Sequence, residues 1–246
     1  MLKLTGKLYR KDYTGEDIIQ ERVMQDGEWV STTEHVPNNV INNQISNRAV
    51  IFGNGESRLS FNVNNLLSKK SGLLGADTLQ SYACNAFYRD YTPDFLVVTS
   101  RIIADEITKT NYPTDNIVYT RVDISLEFPK KFYLIPRDPY ADAGATAAYI
   151  ACFDGHKKIY LLGCDGQFES NYNNNIYAGT TGYAAKDADI TGHNWEESYL
   201  QLFQIYDDVD FVLVTETGRH NTFDSWRACT NFRQISHRDM VLEADL

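Results

Sequence analysis

The sequence lacks most of the signatures that assign a chemistry outright. Its four cysteines, Cys84, Cys152, Cys164 and Cys229, form no CxxC pair, so a zinc site is not expected and buried free thiols in a reducing compartment are. No HxH, HExxH or carboxylate cluster marks a metal site, no GxSxG marks a hydrolase nucleophile, and Cys84 has no paired base. Basic residues are scarce, 23 Lys and Arg against 33 Asp and Glu, and the formal net charge is −10. No basic run offsets that balance, which excludes nucleic acid as a partner held by its phosphate backbone. A single phosphate held by backbone N–H groups stays compatible. There is no apolar stretch long enough to span a bilayer and no export signal in Met-Leu-Lys-Leu-Thr-Gly, so a soluble protein, cytoplasmic at synthesis, is expected. Internal repeats and low-complexity tracts are absent as well.

What is present is a large apolar fraction. Of 246 residues, 43% are hydrophobic, enough for one large α/β domain with a small appendage. Residues 1–45 read as that appendage and its linker. Leu2, Leu4 and Leu8 alternate with polar residues, Thr14-Gly15 marks a turn, and the run 18–24 ends at Asp26-Gly27, a hairpin signal followed by Glu28-Trp29-Val30. This predicts a small antiparallel β unit, either an oligomer contact or docking arm, or a β lid on the edge of the main domain.

Residues 46–246 alternate strand and helix signals. Apolar, β-branched runs over 49–52, 82–85, 95–99, 117–120, 132–135, 158–162 and 211–215 fit strands buried on both faces of a parallel sheet. Helices are predicted over 143–153, with a stop at Asp154-Gly155, and over 195–208, where Trp195, Tyr199, Leu202, Phe203 and Tyr206 share one face. The expected architecture is α/β, a Rossmann-like, doubly wound, mostly parallel sheet that binds ligands at the C-terminal ends of its strands. The stretch 166–192 breaks the rhythm. It is rich in Asn, Tyr, Gly and Asp, and a connection this long reads as a substrate-facing loop or lid.

Candidate site residues gather at predicted strand ends. Gly53-Asn54-Gly55-Glu56-Ser57 follows the first strand of the α/β region. Glycines there permit a tight turn and a ligand close to the peptide N–H groups, and a following helix would favour an anion. The same residues serve equally as a plain tight turn, since Arg58 stands where a GxGxxG pattern would place its third glycine. Cys84-Asn85, Thr99-Ser100 and Gly163-Cys164-Asp165-Gly166 close three more strands, and would lie with Asn54 along one sheet edge. Each alone is ordinary turn chemistry. His193 precedes Asn194, a candidate N-cap with Glu197 three residues on. A capping box there would place the imidazole at a helix N-terminus, where it stays neutral and can accept a proton. A surface histidine at a helix start is the alternative.

These segments resemble those of known families. Gly53-Asn54-Gly55-Glu56-Ser57 resembles the GNGPS loop of the bacterial sialyltransferases of glycosyltransferase family 42, and also the Rossmann-like domain of the 6-hydroxymethylpterin diphosphokinase MptE-like family. Cys84-Asn85-Ala86-Phe87-Tyr88 is similar to the sialyltransferase CN-x-FY segment. Ala143-Gly144, with Gly155-His156-Lys157-Lys158-Ile159-Tyr160-Leu161-Leu162-Gly163-Cys164-Asp165, is similar to its SG…GYKEIYLSGID stretch, and Gly192-His193 to its GH pair. The matches keep their order over residues 48–216. The resemblance implies that Asn54 and Asn85 contact the CMP part of a CMP-type nucleotide-sugar donor, that Tyr172 and Tyr177 steady its phosphate, and that His193 is the base. It implies an inverting sugar transfer to a glycan or other hydroxyl acceptor, with no cofactor or metal required.

Gly53, Gly55, Ser57, Thr99 and Asp165 complete the expected binding set. The diphosphokinase resemblance implies instead a magnesium-dependent diphosphate transfer from ATP, with Asp165 as a metal contact. The sequence departs from the sialyltransferases at Glu56, where they carry proline, and at Ala143, where they carry serine, while Arg137 lies just upstream of where they carry arginine. Those departures suit a third expectation: a non-catalytic virion-associated or assembly protein, as among phage-encoded members, docking or forming a homo-oligomer through residues 1–45.

Overall fold

The computed structural model describes residues 47–67, 79–128, 131–165, 173–188, 194–216 and 222–244, together with the backbone of three N-terminal strands. Those strands, β1 (Lys3–Leu8), β2 (Gln20–Gln25) and β3 (Glu28–Ser31), form their own antiparallel sheet in the order β1-β2-β3. Gln25 pairs with Glu28 across the Asp26-Gly27 signal, whose own residues lie outside the described ones, as do Thr14-Gly15 and the linker.

Apolar runs with no alternation build the second sheet. Its strands are β4 (Arg48–Phe52), β5 (Gln80–Cys84), β6 (Phe95–Val98), β7 (Ile117–Thr120), β8 (Tyr133–Leu134), β9 (Lys158–Leu162), β10 (Asp210–Thr215) and β11 (Phe232–Ser236). All eight are parallel, in the order β11-β10-β9-β4-β5-β6-β7-β8. Both faces are covered, which is why the strands carry continuous rather than alternating hydrophobicity. Ile51, Tyr82, Val97, Leu161 and Leu213 face one core, and Phe52, Ala83, Val98, Tyr160 and Val214 face the other, all of them buried. No helix among the described residues is long and apolar enough to cross a membrane.

The helices are α1 (Val63–Leu67), α2 (Arg101–Thr108), α3 (Tyr112–Asp115), α4 (Val122–Glu127), α5 (Ala143–Phe153), α6 (Trp195–Ile205), α7 (Asp224–Arg227) and α8 (His237–Glu243). α5 is buried along its length except at Tyr149, because Ala and Gly dominate it and let it lie close on the sheet. Asp142 caps its start, and Gly155, at φ +96°, ends it beyond Asp154. Under α5 a buried polar triad joins β5 to the helix end: Tyr82 Oη donates to Asp154 Oδ2 at 2.8 Å and lies 3.0 Å from His156 Nε2.

Strand order decides where a ligand can go. From β4 the chain winds outward through β5 to β8, then returns through α5 to β9 on the other side of β4. The connections that leave β4 and β9 therefore run in opposite directions across the sheet, a topological switch point, where open α/β sheets bind ligands.

Sequence and structure differ at four elements. The strand predicted over 82–85 starts at Gln80 and ends at Cys84, because Asn85 turns to φ +45°. β11 is not among the predicted strands, because Arg233 and Gln234 interrupt its apolar pattern; it is half-exposed at the sheet edge. β8 keeps only two ladder residues. The helix predicted to reach 208 stops at Ile205, where Tyr206 turns to φ −110°, ψ 62°.

Candidate functional site

The loop after β4 is packed tightly against the loop after β9. A Cβ on Gly53 would stand 2.2 Å from the carbonyl oxygen of Gly163, and one on Gly55 would stand 2.3 Å from Asp165 Oδ2. The glycines are therefore required, but for contact between two loops of this chain. Four of the five N–H groups of the expected anion cradle bond within the chain: Gly53 N–H donates to Leu162 O at 2.9 Å, Gly55 N–H to Gly163 O at 2.8 Å, Glu56 N–H to Asn174 O at 3.0 Å and Ser57 N–H to Asp165 Oδ2 at 3.1 Å. The helix expected after it is a single 3-10 turn over Glu56–Arg58, too short for a useful dipole. Glu56 turns out to Lys186, with Oε1 2.5 Å from Nζ.

Asp165 is the hub of this packing. Beside the Ser57 N–H, it accepts from Ser57 Oγ and, at 2.8 Å, from Asn174 Nδ2. The metal contact that the diphosphokinase resemblance implies for Asp165 would have to displace these bonds. The described part of the irregular stretch, 173–188, folds over the loop as a cover. Asn175 bridges to Gly55, and Ile176 N–H donates to Asn54 O at 2.8 Å.

Between these loops lies a cavity of about 320 Å³. Gly53, Asn54, Gly55, Asn85 and Asp165 line it, joined by Asp142, Gly144 and Tyr183 and by Trp195 and Tyr199 of α6. Asn54 is buried; its Nδ2 donates to Cys84 O at 3.1 Å and to Tyr183 Oη at 3.2 Å. A carbonyl can only accept, so this contact fixes the amide's orientation. Asn85 adopts φ +45°, a left-handed turn that Asn tolerates, and its Oδ1 accepts from Thr99 N–H at 3.1 Å and Ser100 N–H at 3.4 Å. Asn54 and Asn85 thus meet at the end of β5, on either side of Cys84.

Asp142 was not singled out from the sequence. Its Oδ1 caps α5, accepting from Gly144 N–H at 2.8 Å and Ala145 N–H at 3.2 Å. Its Oδ2 is sealed from solvent without a hydrogen-bond partner. Burial pushes the carboxyl up to about 6, against the opposing effect of the Ala145 and Gly144 amides, the Ser198 hydroxyl and Arg121. The one sequence signal was an Asp directly before the Ala-Gly-Ala start of a predicted helix. Burial also raises both thiols in the wall, Cys164 to about 12 and Cys84 further, so neither is a nucleophile at neutral pH.

Several expected residues stand elsewhere. Ser57 and Thr99 do not line the cavity; their groups bond Asp165 and Asn85. Tyr177 is buried in the second core with its hydroxyl on Asp90 at 2.7 Å, and Tyr183 is the cavity tyrosine of this segment. No capping box opens α6: the Asn194 side chain makes no cap bond, and Glu197 instead accepts from Gln201 Nε2 at 2.8 Å. Tyr172 and His193 lie outside the described residues.

No protein-family model and no curated protein matches the chain. Among solved structures, it is similar to the sialyltransferase CstII from Campylobacter jejuni in complex with the substrate analogue CMP-3FNeuAc, with 14% identity over 68% of this chain and 79% of that one, TM-score 0.39. A CST-II variant in complex with CMP gives 12% identity, 80% and 98% coverage and TM-score 0.45. CST-II with a trisaccharide acceptor and CMP gives 11%, 80%, 98% and 0.42. At such identities and TM-scores these likenesses assign no role to any residue here.

Proposed function

We propose that this protein is glycosyltransferase-like: it binds a nucleotide sugar at the switch point and transfers the sugar to an acceptor hydroxyl. The observation that carries the reading is the meeting of Asn54 and Asn85 in one cavity at the C-terminal ends of the sheet. These are the two residues to which the sialyltransferase resemblance gives the nucleoside. In an inverting transfer the acceptor oxygen attacks the anomeric carbon as its proton passes to a base, and the bond from that carbon to the nucleotide oxygen breaks. His193, two positions before cavity residue Trp195 in sequence, is the base under this reading.

The test is a thermal-shift series with CMP, UMP, GDP and ATP, with and without magnesium, followed by turnover of His193→Ala. A CMP-type ligand should raise the melting temperature, and His193→Ala should lose turnover while keeping the shift. No shift with any nucleotide at millimolar concentration refutes the reading.

One observation favours a second reading, binding without transfer. Four of the five loop N–H groups and Asp165 are engaged within the chain, and Ala143 leaves the start of α5 without a serine hydroxyl. Ligand binding without turnover on any acceptor supports that reading.

A further inference from the structure

We infer that Tyr140 is a stacking platform for a sugar ring of the acceptor, one ring removed from the ring that reacts. This rests on the glycosyltransferase reading of the cavity and extends it to acceptor specificity. Tyr140 stands two positions before the cavity residue Asp142, in the loop 135–142 that joins β8 to α5 at the C-terminal edge of the sheet. Its backbone is left-handed, at φ +55°, and Arg137 in the same loop sits at φ +48°. A bulky side chain is strained in that region, which is the usual place of Gly or Asn. The strained shape is nonetheless held from several sides. Tyr140 N–H donates to Asp138 Oδ1 at 2.8 Å, Arg121 Nη2 donates to Ala141 O at 2.6 Å, and Arg121 Nε lies 3.3 Å from Asp138 Oδ2. Pro136 and Pro139 fix two further φ angles of the loop.

What this scaffold presents to solvent is one aromatic ring. Tyr140 is 73% exposed, more than any other large hydrophobic side chain among the described residues, and the Arg121 guanidinium lies 5.8 Å from its ring centroid. One face is backed by a cation and the opposite face meets water, so the ring packs no core and the strain is not offset by burial. A fixed ring with one open face matches the C–H face of a pyranose, whose hydroxyls stay in water around the contact. Arg121 directly follows β7, and β7 lies two strands from β5, which Asn85 follows. The platform therefore stands about 10 Å along the sheet edge from Asn85. An acceptor of two or more rings spans that distance, and a monosaccharide seated in the cavity leaves the platform empty.

Saturation-transfer NMR titrations on the full chain with CMP present test this, with galactose, glucose and N-acetylglucosamine against lactose, N-acetyllactosamine and maltose as probes. Thermal unfolding with and without CMP is recorded for each protein. The inference predicts that at least one disaccharide binds about tenfold tighter than its component monosaccharides. Tyr140→Gly should lose that preference while keeping monosaccharide binding, and should melt at the wild-type temperature or above, because glycine relieves the left-handed strain. Tyr140→Trp should keep the preference. A preference that survives Tyr140→Gly, or its absence from the wild type, overturns the inference and leaves the transferase reading to the CMP shift. Tyr140→Gly melting well below wild type makes the ring structural and also overturns it. A Tyr140-dependent preference without any CMP shift upholds the sugar platform and overturns the nucleotide reading.

Discussion

Replacing Asp142 by Asn should stabilise the protein at alkaline pH and do nothing at acid pH. The carboxyl is raised from 3.8 to about 6 because burial disfavours its charge. The native state therefore holds this proton more tightly than the unfolded chain between those values. The carboxyl's contribution to stability is complete below pH 3.8 and is lost as pH rises through about 6. Raising the carboxyl from 3.8 to about 6 corresponds to about 3 kcal/mol. Asp142 is partly exposed as a residue, so solvent screening brings the expected effect down to about 1–2 kcal/mol.

Asn keeps an oxygen for the Gly144 and Ala145 amides and ranks with Asp as an N-cap, so the cap survives. The assay is urea unfolding of both proteins at pH 8, 6.5, 5 and 4, followed by the fluorescence of buried Trp226. The variant should lead by about 1–2 kcal/mol at pH 8, with the gap closing towards pH 4. A variant less stable than wild type at pH 8 refutes the reasoning. It would mean that the carboxylate's bonds to the helix start outweigh its burial.

Three further outcomes follow from the same structure. Gly53→Ala forces a Cβ onto the Gly163 carbonyl at 2.2 Å, and because that is backbone no side-chain rotation relieves it; a loss of about 1–3 kcal/mol in thermal or urea unfolding is expected, and wild-type stability would contradict it. Glu243→Gln breaks the cluster in which Arg233 at 2.5 Å and Lys158 at 2.8 Å hold the Glu243 carboxylate down to about 2. A cost of about 1 kcal/mol is expected at pH 7, disappearing as pH falls from 4.5 through about 2, and a pH-independent cost would contradict the ion-pair origin. Tyr183→Phe leaves the Ala86 N–H and one Asn54 amide donor without their shared acceptor, so about 1–2 kcal/mol of stability should go, with weaker ligand binding by calorimetry.

The parallel core was legible in the sequence for a physical reason. Strands buried on both faces need continuous apolar runs, and 49–52, 117–120 and 158–162 show them within a residue of their observed bounds. β11 was not legible, because an edge strand tolerates Arg233 and Gln234 and so loses its pattern. The placement of the cavity was legible as well, since Gly53, Asn54, Asn85 and Asp165, which line it, all follow strand ends.

The partners of those residues were not. A Gly-x-Gly loop looks the same whether its amides face a ligand or the chain, and only the closeness of Gly163 and Asp165 shows that they face the chain. Spacing could not separate Tyr177 from Tyr183, six residues apart in one irregular cover, one turned to Asp90 and the other to Asn54. Asp142 escaped notice because an aspartate before a helix is ordinary capping chemistry until the cavity beside it is seen.

The central claim is that the cavity at the C-terminal ends of β4, β5 and β9 is where this protein binds its ligand. Amide chemical-shift mapping during titration with cytidine, CMP and neutral sugars tests it most directly. The account predicts that the largest shifts fall on the backbone around Asn54, Asn85, Gly144 and Asp165. Saturable binding whose shifts fall away from these residues would contradict it.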